Sequence, residues 1–190
     1  MAKLNIVIGG VGGQGVITMG KMLIRAVKPE YKAVASETHG LAQRGGAVNV
    51  HVRIGDVYAP LVPLGRADYV IGLEAIEGLR NIRYACDSCV LVLNNKVQRP
   101  AIPKVALPTI DELINTAKNY VKVVVLVNAE DLALKAGNVK AANTVIIGTM
   151  LAVGKLRDFV DEEVLVNSLN DVNRKALYLG MENYDIVFSK

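Results

Sequence analysis

Residues 4–8, Leu-Asn-Ile-Val-Ile, are almost unbroken apolar sequence, the pattern of a strand covered on both faces. After the glycine-rich residues 9–15, Val16, Gly20, Leu23 and Val27 recur at helical spacing, flanked by Ile17 and Ile24. That spacing predicts a helix, ended by Pro29. Residues 33–36 read as a second strand. Val48, Val50, Val52 and Ile54 alternate with Asn49, His51 and Arg53, the period of a half-buried strand. Gly55-Asp56 then turns the chain, and residues 57–59 are expected to pair back as a hairpin. Further strands are predicted over 69–73, 90–93 and 121–126, with a helix from about Glu74. Thr109 stands as a helix N-cap with Asp111 and Glu112 in the first turn, and that helix should run to Asn119. Helical segments over 129–135, 141–156 and 161–179 complete the chain. Strands alternating with helices predict an α/β fold with a mostly parallel sheet covered on both faces and a small antiparallel hairpin element. No repeat or linker divides residues 1–190, so one domain is expected.

Composition sharpens this picture in one respect. Of the 190 residues 52% are hydrophobic, yet no apolar run approaches the ~18 needed to span a bilayer. A soluble chain so rich in apolar residues has surface to hide, which a partner subunit would cover. The net charge of +4 is mild. Lys and Arg are scattered without aromatic interleaving, which argues against nucleic-acid binding. Met1-Ala2-Lys3-Leu4 runs straight into the first strand with no signal-peptide pattern, so a cytoplasmic location is expected.

The two cysteines form Cys86-Asp87-Ser88-Cys89. One C-x-x-C supplies two of the four ligands that a zinc or iron–sulfur site needs, although thioredoxin-like chemistry uses the same spacing. Lying just before a buried-looking strand, they read as ordinary thiols at a strand start.

Two segments carry candidate chemistry. Gly10-Val11-Gly12-Gly13-Gln14-Gly15 matches G-x-G-x-x-G directly after a strand and before a helix, where glycines let the backbone approach a pyrophosphate at a helix N-terminus. Glu37 lies near the separation expected of a ribose-binding acid. A dinucleotide-dependent reductase using Gly10, Gly12, Gly15 and Glu37 is therefore one reading. A loop whose glycines only allow close packing, or present amides to a partner, is another.

The second segment is residues 36–46, Ser-Glu-Thr-His-Gly-Leu-Ala-Gln-Arg-Gly-Gly. It is polar, cationic and glycine-punctuated between strand-forming runs, as expected of a presented loop that touches a ligand or partner. His39 is followed by Gln43 and Arg44, and Arg44 could hold a carboxylate or phosphate bidentately. Gly45 and Gly46 would let a backbone come close. His51, alternating with Val50 and Val52, reads as the polar face of a strand. Neither histidine is accompanied by a nucleophile elbow or paired-carboxylate motif, so no catalytic or metal-binding residue is assigned. Asn128 fits a helix N-cap and Gly137-Asn138 a helix stop. Asn143, inside an apolar helix, must find a partner.

Taken together these segments resemble the gamma subunit or domain of 2-oxoacid:ferredoxin oxidoreductases, with the smaller subunit of indolepyruvate:ferredoxin oxidoreductases as the nearest branch. The matching stretches are residues 10–15, 36–46, Val57-Tyr58 with Pro60, Ala67-Asp68, Leu73-Glu74-Ala75, 108–112, 128–143, and Lys175-Ala176 with Gly180. Thr38-His39-Gly40 with Gln43-Arg44 and Ala136-Gly137-Asn138 point to the aryl-pyruvate branch. The resemblance implies a Rossmann-like three-layer domain that works within a larger complex. That complex would oxidatively decarboxylate a 2-oxoacid to an acyl-CoA and pass electrons to ferredoxin. Thiamine diphosphate and the [4Fe–4S] clusters would reside in larger partner subunits, with none of these cofactors held tightly by this chain. Gly10, Gly12, Gly13, Gln14, Gly15, Glu37, Thr38, His39, Gln43, Arg44, Gly45 and Gly46 would then contact the partner or coenzyme A rather than a nicotinamide. Cys86 and Cys89 stand outside the family pattern.

Overall fold

The computed structural model describes residues 2–40, 45–99 and 105–190. Seven strands among these residues form one sheet: β1 (Lys3–Val11), β2 (Lys32–His39), β3 (Ala47–Gly55), β4 (Ala67–Gly72), β5 (Ala85–Asn94), β6 (Val123–Val127) and β7 (Asp185–Ser189). Their order is β2-β3-β1-β4-β5-β6-β7. Among the described residues eight α-helices accompany them: α1 (Val16–Arg25), α2 (Ala75–Arg80), α3 (Ile110–Ala117), α4 (Ala129–Ala136), α5 (Ala142–Ala152), α6 (Leu156–Phe159), α7 (Glu162–Asn167) and α8 (Asp171–Glu182). No helix among the described residues is long and apolar enough to cross a membrane.

The three-layer α/β expectation holds, while the expectation of a mostly parallel sheet holds only in the middle. β1, β4, β5 and β6 pair in parallel, but β2 with β3, β3 with β1, and β6 with β7 are antiparallel. The reason lies in the segment after α1. β2 does not pair with β1; it pairs antiparallel with β3, which takes the place beside β1. The antiparallel hairpin is therefore β2–β3, and residues 57–59, expected to pair back on β3, form no strand. β7 escaped the sequence pattern because it is a short edge strand, largely open to solvent.

Alternation along the strands sorts the core into two layers. Leu4, Ile6 and Ile8, with Tyr69, Ile71, Val92 and Val125, meet α1, α4, α5 and α8 on one face. Val7, Val70, Leu91 and Val124 meet α3 and Val62 on the other. The helix expected over 161–179 is two helices, because Asn170 caps α8 by accepting the Asn173 N–H at 2.9 Å. The helix expected over 141–156 stops at Ala152, and Gly154, at φ +78°, starts the turn into α6. Thr109 forms the expected N-cap: its hydroxyl accepts the Glu112 N–H while the Glu112 carboxylate accepts the Thr109 N–H, a reciprocal capping box.

Candidate functional site

The carboxyl ends of the parallel strands meet the glycine-rich loop at one edge of the molecule. α1 leads away from β1 toward β2, and β4 lies on the opposite side of β1, so this end is the switch point where α/β sheets open a crevice. Gly10 still belongs to β1, and the turn is made by Gly12 to Gly15. Gly13 and Gly15 have φ of +105° and +80°, values that favour glycine, and Gly15 is the left-handed residue from which α1 starts.

The loop is bonded more fully than a bare phosphate cradle. Gln14 folds back so that its Oε1 accepts the Val11 N–H at 2.8 Å, while its own N–H donates to the Val11 carbonyl at 3.1 Å. Gly12 donates to the Gly46 carbonyl at 2.8 Å, and Gly45 donates to the Gly12 carbonyl at 3.3 Å. The two segments singled out in the sequence are thus joined backbone to backbone. Asn143, at the start of α5, meets the loop from below: its Nδ2 donates to the Gly15 carbonyl at 3.3 Å, and its Oδ1 accepts from Thr144 at 3.4 Å. This is the partner that a polar residue in an apolar helix requires.

The second segment differs from its expected form. Glu37, Thr38 and His39 lie in β2, opposite Val50, Asn49 and Val48, so the connecting loop begins at Gly40. Pairing with β3 extends the strand past the point where local polarity suggests that it ends. The exposed His39 ring, with Nδ1 3.1 Å from the Gly40 carbonyl oxygen, borders a cleft of about 450 Å3 formed with Gly12, Gly13, Val16 and Thr18. Gln43 and Arg44 lie outside the described residues. Glu37 does not join Gly10, Gly12 and Gly15. It faces a different cleft, between β2 and α1, and β3 separates its strand from β1 by two strand spacings, about 9–10 Å. A ribose-binding acid needs its strand beside β1. The Gly12 amide, moreover, is committed to Gly46, so the glycine and acid positions do not combine into a dinucleotide site.

Sequence reading missed the other wall. A third cleft, of about 480 Å3, runs from Gly13 and Gly15 to Asn94, Lys96, Gln98 and Lys140. Asn94 ends β5: its Oδ1 accepts the Ala129 N–H at 3.1 Å and its Nδ2 donates to the Leu73 carbonyl at 3.1 Å, tying three strand ends together. Asn94 thus does the work expected of Asn128, whose own side chain accepts instead from Asn95 at 2.8 Å. Lys96 pairs with Glu130 across the cleft. The signal was present as Asn94-Asn95-Lys96, polar residues directly after an apolar parallel strand, which is where such sheets place ligands.

The family model described as "Pyruvate ferredoxin/flavodoxin oxidoreductase" matches residues 5–186. The indolepyruvate oxidoreductase subunit IorB of Archaeoglobus fulgidus is 40% identical over 188 residues, covering 94% of each chain. This chain belongs to the pyruvate ferredoxin/flavodoxin oxidoreductase family. It is accordingly a subunit of a 2-oxoacid:ferredoxin oxidoreductase. Two solved structures share the fold. The pyruvate oxidoreductase subunit PORC of Thermotoga maritima is 20% identical, with a TM-score of 0.72 and 97% and 98% of the two chains covered. The 2-oxoglutarate:ferredoxin oxidoreductase of Magnetococcus marinus, solved with 2-oxoglutarate, coenzyme A and succinyl-CoA bound, aligns at a TM-score of 0.64 and 13% identity. There the match covers 96% of this chain and 30% of that one.

The donors present do not fit an iron–sulfur cluster, since no three His, Cys, Asp or Glu among the described residues converge on one point. Cys86 and Cys89 begin β5, at the end of the sheet remote from the glycine loop, and burial pushes the Cys89 thiol well above its ordinary range. A neutral buried thiol is neither a nucleophile nor a metal ligand. The crevice does suit an anionic group, because Lys140 lines it beside Gly12 to Gly15 and Thr18, where α1 begins.

Proposed function

We propose that this chain is the small subunit of an oxidoreductase acting on an aryl pyruvate, of the indolepyruvate type, and that it docks on a larger subunit carrying thiamine diphosphate and iron–sulfur clusters. The observation that carries this reading is the 40% identity, over 94% of both chains, to an indolepyruvate oxidoreductase subunit. The site residues support a role in presenting backbone and ligand-facing surface. Gly12, Gly13 and Gly15 form a ridge buttressed by Gln14 and Asn143, and Gly45-Gly46 with His39 extend it. Within the complex this ridge meets the partner beside the coenzyme A thioester chemistry. Where coenzyme A reaches this chain, Lys140 and the amides at the start of α1 are the groups that would meet its phosphates. The residues of this chain bind and orient there; the reacting atoms belong to the partner.

The test is to tag the chain in its native cell, purify it gently without oxygen, and assay what accompanies it. A stoichiometric larger subunit with thiamine diphosphate and iron–sulfur absorbance, reducing ferredoxin with indolepyruvate and coenzyme A, is the expected result. Turnover confined to a different 2-oxoacid would overturn the aryl-pyruvate assignment. A chain recovered alone with a nicotinamide or flavin nucleotide would overturn the subunit reading.

A further inference from the structure

At the other end of the sheet, the connection 56–66 between β3 and β4 is built unlike an ordinary surface loop. Two β3 side chains hold it from beneath. Arg53 Nη1 donates to the carbonyls of Ala59 at 2.7 Å and Leu61 at 3.4 Å, while its Nε donates to Asn5 Oδ1 at 2.9 Å. His51 Nδ1 accepts the Val62 N–H at 3.1 Å. Val57 and Val62 are buried as anchors. Pro60, Pro63 and Gly65, at φ +68°, restrict the remaining backbone. A connection anchored this firmly could have buried its apolar side chains, yet Tyr58, Leu61 and Leu64 stand 80%, 56% and 65% exposed. Apolar groups held outward on an ordered backbone are in the form that binds at low entropic cost.

The surroundings are cationic. The ammonium of Lys32 sits 4.8 Å from the centre of the Tyr58 ring, Arg66 follows the loop, and the Arg83 carbonyl accepts the Gly65 N–H at 3.1 Å. All three cations are exposed, and none makes an ion pair among the described residues. Asp56 is the one acid on the connection itself. The nine residues of β1 separate this surface from the glycine loop by roughly 25–30 Å. It is therefore a second face and no extension of the first.

We infer that Tyr58, Leu61 and Leu64, ringed by Lys32, Arg66 and Arg83, form a second docking surface for the larger subunit, which meets it with an apolar groove edged by carboxylates. The charge of the rim selects the chemistry of the partner. A larger subunit that already grips the glycine ridge needs to reach only roughly 25–30 Å further to meet this end of the sheet, so it is the partner this face would take. This inference rests on the subunit reading above.

The test uses the full chain and its larger subunit, produced anaerobically, with affinity read at low and moderate salt. The wild-type pair is measured first; if it does not associate, the subunit reading fails and this inference fails with it. Given association, Leu61→Ser/Leu64→Ser should weaken it at least about tenfold, as truncation of buried interface anchors does. The melting temperature of the isolated variant should be unchanged, because both side chains are exposed. Arg66→Glu/Arg83→Glu should weaken binding and flatten its salt dependence. Wild-type affinity in both variants would overturn the inference. So would variants that lose only self-association, since the surface would then belong to a second copy of this chain.

Discussion

At the residue scale, a few buried polar groups do more than the core around them. The Tyr69 hydroxyl, deep in the larger core layer, donates to the Val153 carbonyl at 2.6 Å and accepts the Leu156 N–H at 3.1 Å. It thereby fixes the turn between α5 and α6, and burial pushes its pKa up to about 12. Tyr69→Phe leaves a buried amide and carbonyl without that partner and should cost about 2 kcal/mol, read as a lower midpoint in urea unfolding. His51 supplies the pH dependence. Burial, aided by the Arg83 charge, lowers its pKa below the ordinary value of 6.5. The folded state therefore holds His51 neutral, with Nδ1 free to accept from Val62. Above pH 6.5 the neutral form prevails in both states, and the full stability is present. As pH falls from 6.5 toward the lower folded value, the unfolded chain takes up the proton first, and stability declines. Unfolding free energy measured from pH 7.5 to 5 should fall less steeply in His51→Gln than in the parent chain.

At the element scale, the most demanding contact is between α5 and α8. A Cβ on Gly148 would run into the Leu177 carbonyl, and one on Gly180 into the Val145 carbonyl, so backbone meets backbone at this crossing. Thr149 closes it by donating to the Gly180 carbonyl at 2.9 Å. Gly148→Ala should push the helices apart and cost about 2–3 kcal/mol, despite the better helix propensity of alanine. Thermal unfolding monitored by circular dichroism would show it. The start of α1 is similarly constrained. Gly15→Ala meets both the left-handed backbone and Asn143 Nδ2, which lies 2.6 Å from where a Cβ would stand. That variant should lose stability by about 1–2 kcal/mol from the backbone alone. On the docking proposed above it should also lower turnover of the assembled enzyme, because the ridge moves.

At the scale of the whole molecule, the chain divides into a sheet-end ridge that carries the family's signature segments and an opposite end that displays apolar side chains. Among the described residues neither end assembles a nucleophile, a base and an oxyanion donor. The isolated chain should therefore reduce no ferredoxin with any 2-oxoacid, and activity should appear on adding the larger subunit. Because β3 keeps Glu37 from the glycine loop, millimolar NAD(P) or FAD should leave the melting temperature unchanged, whereas a ligand specific to the folded form would raise it.

Much of this was legible in one dimension. The parallel strands announced themselves because burial on both faces demands continuous apolar runs. The capping box at Thr109 followed from residue types that satisfy free amides locally. The family was legible too, through the residue types of segments 10–15 and 36–46, whose described backbones meet where Gly12 bonds to Gly46. What local sequence could not decide was which strand lies beside β1. That choice depends on the β2–β3 pairing, which also draws Glu37, Thr38 and His39 into a strand that their polarity argues against. Nor could spacing show that Asn143 closes the glycine loop across 128 residues, or that Asn94 replaces Asn128 in capping α4. Hydrogen-bond satisfaction requires that such groups find partners, but only the packed structure selects which.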